Sequence, residues 1–344
     1  MSRSSGLFLT APAVVELREF DLAEPQPGEV VVRVAGCGVC HTDVSFASGS
    51  VRTRHPLPLV LGHEISGVVV EAPPPHAGLV GRQVIVPAVI PCGECPLCRA
   101  GRDTACQRQM MPGNDLHGGF ASHAVVPARY LSVLPDDLRG YDLADLSVIA
   151  DAVTTPLQAL KRGCVQAGDL VVVIGVGGIG TFALQIAAAF GARTAGVDID
   201  PVKRERAAAL GAAWVFDPAA ADARAIKKTL TGESDVCSAR WRILEMSGTA
   251  RGQELAWALL PPAATLGVIG FTMDKPDIRL SNLMALDATA FGSWGCSPRH
   301  YAEAVDLVLA GQVELTPFIE KHPLANGPAL LADPHGTRRP ILVP

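Results

Sequence analysis

At 344 residues the chain is longer than a single hydrophobic core usually supports, so two domains are expected. It is 49% apolar and 18% charged, with Gly and Pro scattered along it, which excludes wholesale disorder. A formal net charge of −5 excludes the basic face of a nucleic-acid binder, and no apolar run reaches the roughly 20 residues of a bilayer span. The N-terminus also lacks the long apolar stretch of a signal peptide, so a soluble, cytoplasmic protein is expected.

Taken in order, the first half reads as short strands between irregular loops. Glu29 to Val34, Val68 to Glu71 and Val84 to Val86 are rich in β-branched residues and bounded by Gly and Pro, which predicts a β-rich first domain. From Leu170 the character changes. The apolar run LVVVIG meets a glycine cluster, then an Ala-rich helical stretch from Thr181 to Phe190, then a strand from Thr194 to Val197. That is the layout of a parallel, doubly wound α/β sheet. A helix from Lys203 to Leu210 and strands at Trp214 to Phe216 and Thr265 to Ile269 continue it. The segment from Ala219 to Gly248 shows no clear period. Beyond Phe291, Tyr301 to Ala310 predicts a helix, and the closing RRPILVP predicts a strand that returns most simply to the first domain.

Four of the nine cysteines are tightly spaced: Cys92, Cys95, Cys98 and Cys106, as C-x2-C-x2-C-x7-C. In a reducing compartment such a cluster points to metal rather than disulfides. Two-residue gaps let one loop fold three thiolates around a zinc ion while a fourth closes the tetrahedron. All four positions being protein, the site would be structural. The same thiolates would also suit an iron–sulfur cluster.

A second set is dispersed: Cys40 in GVCHTD, His63 and Glu64 in GHE, and Asp151 in VIADAVTT. A thiolate, an imidazole and a carboxylate are ligand types zinc accepts, and three of them leave a fourth position open for chemistry. Taken singly, a buried Cys or His more often serves core packing or a local hydrogen bond.

The third signal is Gly175, Gly177, Gly178, Ile179 and Gly180 in VVVIGVGGIG, between a strand and a helix. Glycines permit the tight turn and the close approach of a pyrophosphate to the helix N-terminus. Asp198 ends the next strand, where a carboxylate takes the ribose hydroxyls and repels a 2′-phosphate; NAD is expected over NADP.

These motifs, in this order, resemble the medium-chain zinc-dependent alcohol dehydrogenases over nearly the whole chain. The resemblance implies a GroES-like catalytic domain at about 1–152 with a zinc lobe at about 91–107, a Rossmann domain at 153–291, and a return to the catalytic domain at 292–344. The active site would lie in the cleft. It further implies that Cys40, His63 and Asp151 hold a catalytic zinc, aspartate standing where many members carry a third cysteine. Glu64 would sit behind that zinc, able to approach it as a ligand, and Asp43 would orient His63, although an aspartate there also reads as a turn cap. Thr42 would carry the alcohol proton outward; Ser45 stands where a relay histidine is familiar, leaving a water or the cofactor ribose to complete the path. His41 and Arg339 would contact the cofactor pyrophosphate, and Lys203 the adenosine ribose. Either basic residue at the pyrophosphate also reads as a surface cation.

Within that family, VRTRHPLPLVLGHEISG, MPGNDLHGGFASH, SGTARGQ and GFTMDK resemble most the 6-hydroxycyclohex-1-ene-1-carbonyl-CoA dehydrogenases of anaerobic aromatic degradation. The resemblance implies NAD-linked oxidation of a ring hydroxyl in a cyclic acyl-CoA; Arg52 and Arg54 then read either as contacts for its phosphates or as plain surface charges, and the wider family implies a homodimer or homotetramer. A general secondary-alcohol or polyol dehydrogenase would use the same metal chemistry. A noncatalytic zinc and NAD-binding protein is the reading from another class. The stretch HPLANGPALLADPHGTRRP carries prolines where the family usually has a helix.

Overall fold

The computed structural model describes residues 3–333 and 336–344. The chain divides into two compact units, Met1–Thr154 with Gly295–Pro344, and Thr155–Trp294.

The first unit is largely β. Strands β1 (Arg3–Ala11) and β2 (Val14–Asp21) form an antiparallel hairpin. Strand β3 (Glu29–Gly38) runs on past the Val-rich stretch, because Cys37 and Gly38 still pair with Ile65 and Glu64. Helix α1 (His41–Ser48) follows at once, then β4 (Leu59–Val60), which pairs with β1. Strands β5 (Glu64–Glu71) and β6 (Gln83–Val86) follow; then come helix α2 (Pro96–Arg99) and strands β7 (His123–Pro127) and β8 (Ser132–Val133). Leu7, Val32, Ile65, Val84, Phe120 and Leu342 pack in one core, each at most 1% exposed. Burial of each such side chain contributes about 1.5–3 kcal/mol.

The second unit begins within helix α3 (Thr154–Arg162). It alternates strand and helix: β9 (Leu170–Ile174), α4 (Gly180–Ala189), β10 (Arg193–Val197), α5 (Pro201–Ala209), β11 (Trp214–Phe216), α6 (Ala223–Glu233), β12 (Trp241–Glu245), α7 (Ala250–Leu259), β13 (Thr265–Val268), α8 (Asn282–Ala285) and β14 (Thr289–Gly292). The strands form one six-stranded parallel sheet in the order β11-β10-β9-β12-β13-β14. Strand order therefore reverses between β9 and β12, the crevice where such sheets bind ligands.

Helix α6 and strand β12 lie in the segment from Ala219 to Gly248, which shows no clear period. Helix α6 buries only Ile226 and Leu230, so its apolar stripe is thin, yet Asp222 caps it by accepting from the Ala225 N–H at 2.8 Å. Strand β12 is central and places Trp241, Ile243 and Leu244 in the core, with Glu245 buried at its end. Charges in a central strand obscure the pattern that sequence reading depends on.

The chain then re-enters the first unit through α9 (Tyr301–Leu309), β15 (Ile319–Pro323), α10 (Gly327–Ala332) and β16 (Arg339–Val343). Strand β16 does return to the first unit's sheet. It pairs with β3 through Leu342 and Cys37, giving the order β15-β16-β3-β5-β6-β8 with β7 also on β3. The proline-bearing stretch does contain a helix, α10, because Pro328 falls in its first turn, where a missing N–H costs nothing. Pro334 and His335 of that stretch lie outside the described residues. Among the described residues no helix is long and apolar enough to cross a membrane.

Candidate metal centres and dinucleotide site

The cysteine lobe closes on itself. Cys95 caps α2, with Pro96 opening its turn and Cys98 buried within it. Sulfur to sulfur, Cys95 lies 3.4 Å from Cys98 and 3.8 Å from Cys106, and Cys92 lies 3.9 Å from Cys98. A tetrahedron with Zn–S bonds of about 2.3 Å has edges of about 3.8 Å, so the four sulfurs fit one zinc ion. All four fall within 4.8 Å of one another, too tight for several irons and their bridging sulfides. Backbone N–H groups of Glu94 and Cys95 lower the Cys92 thiol to about 6, making it a thiolate at neutral pH.

The dispersed residues converge as well. Cys40 is the N-cap of α1, Glu64 opens β5 with His63 just before it, and Asp151 follows the helical turn Asp145–Ala150. Asp151 Oδ2 lies 3.8 Å from Cys40 Sγ and 3.7 Å from His63 Nε2. These are ligand-to-ligand separations around one zinc ion. Glu64 brings its carboxylate within 4.8 Å of the other three ligand atoms.

Asp43 organises this cluster from the first turn of α1. Its Oδ2 accepts from the Cys40 N–H at 2.8 Å, while Oδ1 accepts from Gly62 N–H at 3.2 Å and His63 Nδ1 at 3.1 Å. With Nδ1 donating, Nε2 is the nitrogen left for metal. Burial alone would lower the His63 pKa, but the Asp43 charge and hydrogen bonds with Asp151, Asp43 and Cys40 hold it well above the usual value.

Behind the cluster, Glu64 forms a two-point ion pair with Arg339 at 2.8 and 2.5 Å. Arg339 opens β16 with its side chain buried, so it is not the surface cation that the sequence also allows. Burial pushes the Glu64 carboxyl up to about 7 against the pull of Arg339. Gly38, paired with Glu64 across β3 and β5, is required here: a Cβ on it would stand 2.0 Å from Glu64 Oε2.

Thr42 Oγ1 lies 3.8 Å from Cys40 Sγ, beside the cluster, whereas Ser45 donates to the His41 carbonyl at 3.0 Å within its own helix. His41 is exposed, as are Arg52 and Arg54, and Arg54 pairs with Asp115 at 3.3 Å. Cys296, which spacing did not single out, is buried near Asp151. Burial and the Asp151 and Asp103 charges push its thiol well up, so it stays protonated.

In the second unit Gly175 follows β9 at φ +90°, a conformation that favours glycine, and a Cβ there would come within 2.5 Å of the Ser247 backbone. Gly177 and Ile179 are half-buried and Gly178 is exposed just before α4, whose N-terminal N–H groups favour anions. Asp198 is set by two backbone donors, Val176 N–H at 2.8 Å and Asp200 N–H at 2.9 Å. Its neighbour Arg204 donates to the Asp198 and Ile199 carbonyls at 2.9 and 2.8 Å and pairs with Asp217 at 3.1 Å. Lys203 is half-buried on α5 beside it.

Residues 26–136 match the family model described as the alcohol dehydrogenase GroES-like domain, and residues 178–310 that of the zinc-binding dehydrogenases. An alcohol dehydrogenase of Geobacillus stearothermophilus is 31% identical over 89% of this chain and 88% of its own. An L-threonine 3-dehydrogenase of Pyrococcus abyssi is 31% identical over 90% of this chain and 88% of its own. The crystal structure of galactitol-1-phosphate dehydrogenase from Escherichia coli superposes with a TM-score of 0.89 at 26% identity, covering 99% of this chain and 100% of that one. The likeness is chain-long and embraces both the GroES-like β unit and the Rossmann sheet; this protein belongs to the medium-chain, zinc-dependent alcohol dehydrogenases, oxidoreductases of CH–OH groups.

Proposed function

We propose that the chain is an NAD-linked dehydrogenase that oxidises a ring hydroxyl of 6-hydroxycyclohex-1-ene-1-carbonyl-CoA to the 6-oxo product. The observation that carries the reaction class is the gathering of Cys40, His63 and Asp151 at zinc-ligand spacing beside Thr42. The likeness of several sequence segments to the dehydrogenases of that thioester supports the finer substrate.

When bound, zinc supplies a Lewis acid that lowers a hydroxyl pKa toward neutrality, and the dinucleotide supplies a hydride acceptor. Cys40, His63 and Asp151 would hold the catalytic ion, with Glu64 in reach as a further ligand; Cys92, Cys95, Cys98 and Cys106 would hold the structural one. Asp43 keeps the His63 ring in the orientation that presents Nε2. Thr42 Oγ1 takes the proton that the substrate hydroxyl releases and passes it outward; Ser45, committed to the His41 carbonyl, leaves the next step to solvent. In the second unit, Gly175 to Gly180 would cradle the pyrophosphate and Asp198 the adenosine ribose, with Lys203 beside it. His41 and Arg339 would add positive charge for the pyrophosphate, and Arg52 and Arg54 would meet the phosphates of CoA.

The names of the relatives favour a second reading, a general secondary-alcohol or polyol dehydrogenase with the same residues in the same roles. We further propose a homodimer or homotetramer. Exposed Phe271, Met273, Leu280 and Met284, 61–78% accessible, and the edge strand β14 offer the surface it would cover.

The test is NAD reduction followed at about 340 nm, with the thioester and with simple secondary alcohols, on protein of measured zinc content. Turnover of the thioester alone supports the first reading. Turnover of simple alcohols alone moves the assignment to the second, and none with both zinc ions bound refutes both.

A further inference from the structure

A short segment that the reaction does not use is tied to both metal loops. Tyr301, the first residue of α9, is 1% exposed, and its hydroxyl sits between two backbone groups from distant parts of the first unit. It accepts from the Ala88 N–H at 3.0 Å and donates to the Ala150 carbonyl. Thr154, fully buried, donates to that same carbonyl at 3.1 Å. A few residues earlier the segment grips the cysteine lobe. Ser297 Oγ donates to Asp103 Oδ2 at 2.7 Å, and Arg299 donates to the same oxygen at 3.1 and 3.2 Å. Asp103 lies in the loop between Cys98 and Cys106.

The Ala150 carbonyl shares one rigid peptide plane with the nitrogen and Cα of Asp151. Holding that oxygen from two sides therefore sets the direction in which Asp151 leaves the helical turn, and with it the position of Oδ2 against Cys40 and His63. Asp151 sits at φ −140° and ψ −53°, where the turn ends. A phenylalanine would fill the same apolar space as Tyr301 but leave the Ala88 N–H without its acceptor and the Ala150 carbonyl with one donor fewer.

We infer that Tyr301 is a positioning residue for the catalytic metal site, its hydroxyl clamping the Ala150 carbonyl so that Asp151 presents its carboxylate at ligand distance. The inference rests on the metal role of Asp151 stated under Proposed function. No contact of Tyr301 with substrate or cofactor is involved.

The test uses the zinc-loaded full chain with Tyr301→Phe and, separately, Thr154→Val. Chelator competition reads the affinity of each of the two zinc ions, and cobalt substitution at the catalytic site reads its ligand geometry through the visible d–d bands. Tyr301→Phe is expected to weaken the catalytic ion about tenfold, the low end of what displaced support for a ligand costs, and to shift the d–d bands. The structural ion should hold as before. Thr154→Val should do the same to a smaller degree, and it decides the matter if the phenylalanine variant does not fold. Wild-type affinities and spectra in a folded variant would overturn the inference alone. Wild-type protein that binds a single zinc, unaffected by Asp151→Ala, would overturn the metal role of Asp151 and the inference with it.

Discussion

Glu64 and Arg339, 275 positions apart, meet as a buried two-point ion pair directly behind the catalytic cluster, Arg339 reaching it from the strand that closes the chain. Removing one partner leaves the other charge buried and unpaired. Arg339→Met is expected to destabilise the protein by about 3–5 kcal/mol, read as a lower urea midpoint with the slope unchanged. Adding Glu64→Met to it should recover much of the loss. A single variant within about 1 kcal/mol of wild type would show that the pair is not buried in solution.

Asp43 takes three hydrogen bonds, one of them from His63. Asp43→Asn keeps the shape but removes the charge that orients the ring. The catalytic zinc should bind about 10–100-fold more weakly by chelator competition, with the cysteine-lobe zinc unchanged. Equal loss of both ions would point to general unfolding instead.

Replacing a metal-binding thiolate should separate chemistry from cofactor binding. Cys40→Ser should lose turnover by a factor of about a hundred or more, since the Lewis acid supplies several kcal/mol of stabilisation. Because the glycine turn and Asp198 lie in the other unit, NAD affinity by fluorescence titration should stay within about twofold. Full activity in this variant would remove Cys40 from the catalytic site.

Asp198→Ala removes a buried carboxylate that takes the Val176 and Asp200 N–H groups. The KM for NAD should rise about tenfold, as loss of a charged hydrogen bond implies, and the preference over NADP should narrow. Arg204 stays paired with Asp217, so NADP should not become the favoured cofactor until Asp217 is also replaced. An unchanged NAD to NADP ratio would take the ribose contact away from Asp198.

The His117 imidazole supplies a pH dependence whose sign is fixed by its surroundings. Burial, then the neighbouring His55, lower its pKa below the usual 6.5, and Nδ1 already accepts the Val60 N–H at 3.1 Å. The unfolded chain therefore binds this proton more readily than the folded one. Its contribution to stability is complete above the unfolded pKa and is lost as pH falls from about 6.5 toward the folded value. His117→Asn should flatten the stability profile across that window. An imidazole resonance titrating at or above about 6.5 would contradict it.

Features made by neighbours in the chain were legible in the residues alone. The cysteine lobe needs only two- and seven-residue gaps to bring four thiolates together, and the glycine turn is one strand, one loop and one helix in succession. Strands β9 and β10 and helix α4 showed because their residues are nearly all small or apolar, and helix α5 because a run of strong helix formers follows Pro201. Helix α6 and strand β12 did not, since two buried anchors and a pair of charges blur the period. What tertiary structure decided is every contact across long stretches of chain. Cys40 meets Asp151 over 111 positions, Arg339 closes on Glu64, and Tyr301 holds Ala150 over 151. No spacing rule encodes such pairs. The Glu64–Arg339 pair depends on the register of β16 on β3 and β3 on β5, which the burial of one face of that sheet sets, because a one-residue slip would turn every side chain to the other side.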